Sequence, residues 1–235
     1  MIGDTRFTIS IKDNKFKSEN TSVVLLASIM RPRTKTIGPT SLIRLNSQQT
    51  LLDYQVQSIK QIYPKSEIIL VVGFEAAKVC HNKPNNVKII ENPFFESKGN
   101  AEEIRLALNI INNDTVIIID GATVFSPEVL IPLKKHGSSI LVSNTKSLED
   151  VGTPNPIGKL NMLSYGNDYT WSNIGIFQEK ELQLMTKFVA NRSKNKYGYH
   201  EVVNYIADNS GKINVVEIKN GYLSKIENFK NENII

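Results

Sequence analysis

The chain is poor in cysteine. Cys80 is the single one in 235 residues, so no internal disulfide framework exists and stability must come from packing. A lone thiol suits a reducing compartment, and the cytoplasm is the expected location. No apolar run approaches the roughly 20 residues that a membrane-spanning helix needs. The opening stretch, residues 1–20, carries no apolar core of the kind a signal peptide requires, so neither membrane contact nor secretion is expected. The three histidines, His81, His136 and His200, lie far apart and show no metal-ligand spacing. The imbalance of charge is small: 28 Lys and Arg against 23 Asp and Glu give +5. Two local concentrations stand out, Arg31, Arg33 and Lys35, then Arg192, Lys194 and Lys196. No nucleic-acid-binding motif accompanies either, so nucleic acid is not the expected partner. A basic binding module built on Arg31 and Arg33 would reveal itself by steeply salt-dependent binding.

What the sequence does contain is a core. Hydrophobic residues make up 40% and charged residues 22%, the values of an ordinary folded domain. Residues 1–20 read as a polar leader, and 21–235 as one domain with no internal repeat or linker. Continuous apolar runs predict buried parallel strands at Ser22–Ala27, Glu67–Gly73, Val87–Ile90 and Thr115–Gly121. Between them, Leu51–Ile62 has Leu52, Val56 and Ile59 on one helical face and stops before Pro64. Asn100–Ile111 and Pro127–Lys135 are further predicted helices. Strand and helix alternating at this spacing predict βαβ units and a twisted, mostly parallel sheet flanked by helices. After the strand at Ser139–Ser143 the pattern changes. Gly152–Gly175, rich in Gly, Pro and Asn, predicts antiparallel hairpins, followed by helices over Lys180–Val189 and His200–Ala207 and a late strand at Asn214–Ile218.

The order of these elements, with particular residues at their ends, resembles the nucleotidyltransferases that activate sugar-1-phosphates or phosphocholine. The resemblance runs from about Ser22 to Ile235. Leu26-Ala27-Ser28-Ile29-Met30-Arg31-Pro32-Arg33, followed by Gly38-Pro39-Thr40, stands where that family has L-A-A-G-x-G-x-R and then P-K. Ser41–Asn46 with Thr50–Gln55, the pairs Asn92-Pro93 and Gly99-Asn100, Ile118–Phe125, Trp171–Phe177, Tyr199–Glu201 and Ser224–Asn228 are similar to further family segments in the same order. The implied fold is Rossmann-like, of the glycosyltransferase-A type, with a small antiparallel C-terminal part.

The resemblance implies a reaction in which a substrate phosphate oxygen attacks the α-phosphorus of a nucleoside triphosphate and expels pyrophosphate. Such catalysis rests on positioning and on neutralising developing charge. Carried onto this chain, Ala27, Ser28, Arg31, Asn100 and Gly121 would contact the nucleotide. Arg33 would pair with phosphate, and Asp120 and Glu227 would hold Mg²⁺. The departures are selective. The two loop glycines match Ile29 and Arg31, Pro32 can donate no N–H, the lysine matches Thr40, and Ala122 stands at the position of the metal-binding aspartate. Asp120 falls earlier in the strand, with its side chain expected on the opposite face. The expectation is therefore a catalytically degenerate relative that binds, regulates or supports an assembly, with a nucleoside triphosphate, an active paralogue or a larger protein complex as its partners. The alternative is an active enzyme coupling a nucleoside triphosphate to a sugar phosphate or phosphocholine, with Mg²⁺ on Asp120 and Glu227. Elsewhere, Trp171 is expected in the core, Cys80 as a buried or half-buried filler, and His200-Glu201 as a helix start rather than an acid–base pair.

Overall fold

In a computed structural model that describes residues 21–29 and 37–226, the apolar runs form a central sheet with two faces to bury. Side chains on a strand alternate between faces, and here the alternation separates two cores. Val24, Leu26, Ile69, Val71, Val116 and Ile118 point to one side, Val23, Leu25, Ile68, Leu70, Ile117 and Ile119 to the other. The strands are β1 (Thr21–Ala27), β2 (Glu67–Val72), β3 (Val87–Glu91), β4 (Thr115–Asp120), β5 (Thr123–Phe125), β6 (Ser139–Ser143), β7 (Val151–Thr153), β8 (Gly158–Lys159), β9 (Ser164–Tyr165), β10 (Tyr169–Gln178), β11 (Asn214–Glu217) and β12 (Leu223–Lys225). The main sheet has the order β3-β2-β1-β4-β10-β6-β11-β8, and β7 and β9 extend from β10. Strands β1 to β4 pair in parallel, as do β6 and β11, whereas β10 runs antiparallel between β4 and β6. The small second sheet pairs β12 with β5. This is a mostly parallel open sheet flanked by helices, with a small antiparallel part.

The helices are α1 (Leu51–Ile62), α2 (Ala76–Asn82), α3 (Asn100–Leu108), α4 (Glu179–Ala190) and α5 (Tyr199–Asp208). Helix α1 begins at a capping box, where the Thr50 hydroxyl accepts from the Asp53 N–H and the Asp53 carboxylate accepts from the Thr50 N–H. Its Leu52, Val56 and Ile59 pack under one face of the sheet, with Val129, Leu130 and Leu133 of the next segment. Helices α3, α4 and α5 cover the other face through Ala101, Ile104, Met185, Phe188, Val202, Val203 and Ile206.

Three expectations need correction. Pro127–Lys134 is a 3-10 helix, because Pro132 inside it lacks the N–H that α-helical bonding needs. Helix α3 ends at Leu108, three residues before the predicted end. Cys80 is exposed rather than buried, since α2 buries Val79 alone.

Candidate functional site

In an open α/β sheet, ligands bind beyond the carboxyl ends of the parallel strands, where the strand order reverses. Here that reversal falls between β1, which continues to β2, and β4 on its other side. Ala27 and Ser28 end β1, Asp120 and Gly121 end β4, and the first turn of α3 brings Asn100 to the same edge. These five expected site residues therefore share one edge. Arg31, Arg33 and Glu227 lie outside the described residues.

The centre of this edge is a residue that the sequence reading passed over. Glu103, in the first turn of α3, is fully buried. Its Oε1 accepts from the Ser28 N–H at 2.7 Å and its Oε2 from Asn100 Nδ2 at 2.7 Å. Asn92 Nδ2 donates to Ser28 Oγ at 3.0 Å, while Asn92 Oδ1 accepts from the Phe94 N–H. The Asn-Pro and Gly-Asn pairs thus serve to tie the end of β1 to the β3–α3 connection. Burial raises the Glu103 carboxyl from 4.5 to about 7. Its bonds to Ser28 and Asn100 pull the other way, and the nearby Asp120 charge adds to the rise. A signal was present in the sequence: Asn100 and Glu103 are i and i+3 at a helix start, neighbours on one face.

Asp120 and Ala122 lie in different surroundings. Asp120 Oδ1 accepts from the Ala122 N–H at 2.9 Å. Its charge also reaches the buried Tyr199, whose hydroxyl is raised well above its usual range, first by burial and then by Asp120. Ala122 is 3% exposed and packs with Leu45, Leu51, Val124 and Ile226. Gly121 is required by close approach, since a Cβ there would stand 2.7 Å from the Ala27 Cβ and 2.8 Å from the Leu26 carbonyl oxygen. The Gly121 N–H donates to that same carbonyl, and Gln55 Nε2 holds the following turn by donating to the Gly121 and Thr123 carbonyls.

At the start of α3 the Gly99 N–H donates to the Asn195 carbonyl and the Ala101 N–H to the Tyr197 carbonyl. A Cβ on Gly99 would come within 2.4 Å of Tyr197 O and 2.5 Å of Lys196 O. Gly99 has an ordinary φ of −94°, so Gly99→Ala tests the contact alone. It is expected to cost about 1–3 kcal/mol of stability by overpacking, measured by urea denaturation; an unchanged midpoint would show that the 195–197 segment yields freely.

Of the remaining candidates, Glu201 accepts from the Gly198 N–H at 2.7 Å, which makes His200-Glu201 a helix start. Trp171 is 2% exposed and packs against Tyr199 at 4.6 Å between ring centroids.

No protein-family model matches the sequence, and no curated protein matches it. Solved structures do. The inositol-1-phosphate CTP transferase from T. maritima superposes with a TM-score of 0.67 at 18% identity, over 92% of this chain and 93% of that one. The fold is that of the nucleotidyltransferases. A CTP:phosphocholine cytidylyltransferase from Streptococcus pneumoniae gives 0.68 at 16% identity, over 88% and 94%. A nucleoside-diphosphate-sugar pyrophosphorylase from Vibrio cholerae gives 0.65 at 16%, over 84% and 91%. At these identities the nucleotidyltransferase fold is what is shared, and the chemistry of the edge has to be argued from its own residues. Among the described residues no helix is long and apolar enough to cross a membrane.

Proposed function

We propose that this chain is a nucleotidyltransferase-fold protein with little or no transferase activity, acting in the cytoplasm as a binding, regulatory or structural component of an assembly, with an active paralogue as one candidate partner. The observation that carries this reading is that donors expected to meet a nucleotide are spent inside the protein. The Ser28 N–H and Asn100 Nδ2 both serve Glu103, the Gly121 N–H serves Leu26, and the Ala101 N–H at the start of α3 serves Tyr197. An anion at a helix N-terminus needs free N–H groups. Thr40, where the resemblance expects a lysine, is 7% exposed and so also serves packing.

The described residues do not fit Mg²⁺. A hard cation wants several oxygen ligands, yet among the described residues no three His, Cys, Asp or Glu side chains come together. Ala122 is set among aliphatic side chains, and Glu103, whose carboxyl feels the Asp120 charge, is bonded on both oxygens and raised to about 7.

The test is pyrophosphate release from each nucleoside triphosphate with Mg²⁺, offered with sugar-1-phosphates and with phosphocholine. Release at the buffer background is expected, and an ordinary enzymatic rate would overturn the reading. The place of Asp120 at the end of β4 favours the alternative of an active enzyme coupling a nucleoside triphosphate to a sugar phosphate or phosphocholine. That alternative predicts measurable release that Asp120→Ala with Glu227→Ala abolishes.

A further inference from the structure

The strand-end edge is built around a buried carboxyl with no counter-ion. Glu103 is fully buried at the start of α3, and no described cation acts on it. Three donors stand in for one: the Ser28 N–H on Oε1 at 2.7 Å, the Ser28 hydroxyl, and Asn100 Nδ2 on Oε2 at 2.7 Å. A shell of donors suits the ionised form, which can only accept. Burial favours the neutral form, and so does the charge of Asp120 at the end of β4. Strand β2 and helices α4 and α5, which pack on the same side, meet α3 through an apolar core. The titratable groups of that core are tyrosines, Tyr199 above all, which are neutral near pH 7. The opposing demands leave the Glu103 carboxyl at about 7.

A proton on Glu103 turns one of its oxygens into a donor and sets it against a donor already in place. Oε1 faces a backbone N–H, which cannot reverse. The Ser28 hydroxyl is buried and its oxygen already accepts from Asn92 Nδ2 at 3.0 Å, so turning it away would leave a buried O–H without an acceptor. Asn100 differs from both. It is half-buried, and among the described residues its Oδ1 accepts no hydrogen bond. Its backbone is held on either side, by the Gly99 N–H on the Asn195 carbonyl and the Ala101 N–H on the Tyr197 carbonyl. Turning the amide over brings Oδ1 to the Glu103 O–H and sends the amide hydrogens outward, with no movement of the main chain. We propose that Glu103 and Asn100 form a proton-operated switch at this edge: the carboxylate holds the Asn100 amide with its oxygen outward, and the neutral acid turns it over so that its N–H groups face outward. The edge then presents an acceptor in alkaline solution and a donor in acid, so an anion arriving there is favoured by proton uptake. The inference goes beyond the proposed function, because the reversal needs no nucleotide, no metal and no transfer activity.

The test is nuclear magnetic resonance of the full chain, labelled with ¹³C and ¹⁵N, titrated through neutral pH without ligand. The Glu103 carboxyl carbon and the Asn100 side-chain amide nitrogen are expected to shift with one shared midpoint. Contacts from the Asn100 amide protons to the Glu103 side chain should be present at high pH and lost at low pH. In Glu103→Gln the Asn100 amide should stop responding to pH and stay at the position it has in the parent at low pH, because Gln also donates from that side. Asp120→Asn, which keeps an oxygen for the Ala122 N–H, removes the charge that favours the neutral acid. It should lower both midpoints together, which tests the coupling without altering either partner. A Glu103 carboxyl that does not titrate near neutral pH, an Asn100 amide that stays still while Glu103 titrates, or midpoints that separate in Asp120→Asn would each overturn the switch. Pyrophosphate release at an ordinary rate would overturn the degenerate-enzyme reading and leave the switch standing.

Discussion

Glu103→Gln is expected to stabilise the protein at pH 8 and to leave it nearly unchanged at pH 4.5. The carboxyl of Glu103 is raised from 4.5 to about 7 by burial, so between those values the folded state holds a proton that the unfolded state has released. For an acid raised in this way, the native state loses stability as pH rises from about 4.5 to about 7, and the loss is complete above the folded value. A shift of that size corresponds to about 3 kcal/mol. Gln is neutral at every pH and keeps an oxygen for the Ser28 N–H, while Asn100 can turn its amide to accept from the new nitrogen. The variant should therefore lack this descent. For a chain of this length, about 2–4 °C of melting temperature accompanies each kcal/mol, which makes the expected gap at pH 8 about 6–12 °C. Other carboxylates slope the opposite way. Glu102, held low by the Arg105 guanidinium, is one, so the quantity to read is the difference between variant and parent across pH. Parallel melting curves from pH 4.5 to 8 would show that Glu103 is charged in the folded protein. Glu103→Ala should behave differently from Gln. It orphans the buried Ser28 N–H, at a cost of about 1–3 kcal/mol, and should be less stable than Gln throughout.

The same residue shows where sequence reasoning stopped. Helix α1 was legible because three signals agree: the Thr50–Asp53 cap, the spacing of Leu52, Val56 and Ile59, and Pro64 beyond the end. The strands β1, β2 and β4 were legible because they are buried on both faces and so read as unbroken apolar runs. Strand β10 was not. Its ten residues include Gly175 and Asn173 and sit in a stretch dense in turn formers, and nothing local says that it enters the sheet between β4 and β6 against their direction. Three-residue strands such as β5 and β12 are paired across about a hundred residues, and α2 buries too little for a period to show. At the site, the strand-end positions Ala27, Ser28, Asp120 and Gly121 and the helix start at Asn100 came from the resemblance, and the structure brings them to one edge. Glu103 was passed over because charged helix residues usually face water. Its burial follows from where α3 is docked, beneath the end of β1, which is a tertiary fact.

Returning a carboxylate to position 122 is expected to damage the protein before it restores any chemistry. Ala122 packs with Leu45, Leu51, Val124 and Ile226, and its carbonyl accepts from the Ile226 N–H as β12 closes onto the turn after β4. Ala122→Asp would place an ionised group among these aliphatic side chains with no described cation to meet it. Burying an unpaired charge belongs to the mechanisms that produce the largest losses, and about 3 kcal/mol or more is expected at pH 8. The loss should shrink at pH 4, where the new carboxyl can take a proton instead of staying charged. Ala122→Ser, which adds a single hydroxyl, serves as the control for volume and should cost less than Asp at pH 8 but show no such pH dependence. Chemical denaturation of the three proteins at both pH values, with and without Mg²⁺, decides the matter. If the aspartate variant is as stable as its parent at pH 8 and gains stability from Mg²⁺, position 122 is still an open ligand position and the loss of the aspartate is a reversible change in a working site. If it is destabilised and indifferent to Mg²⁺, the aliphatic side chains around position 122 have taken over the space a metal carboxylate would need, and a nucleotidyltransferase fold here serves a purpose other than transfer.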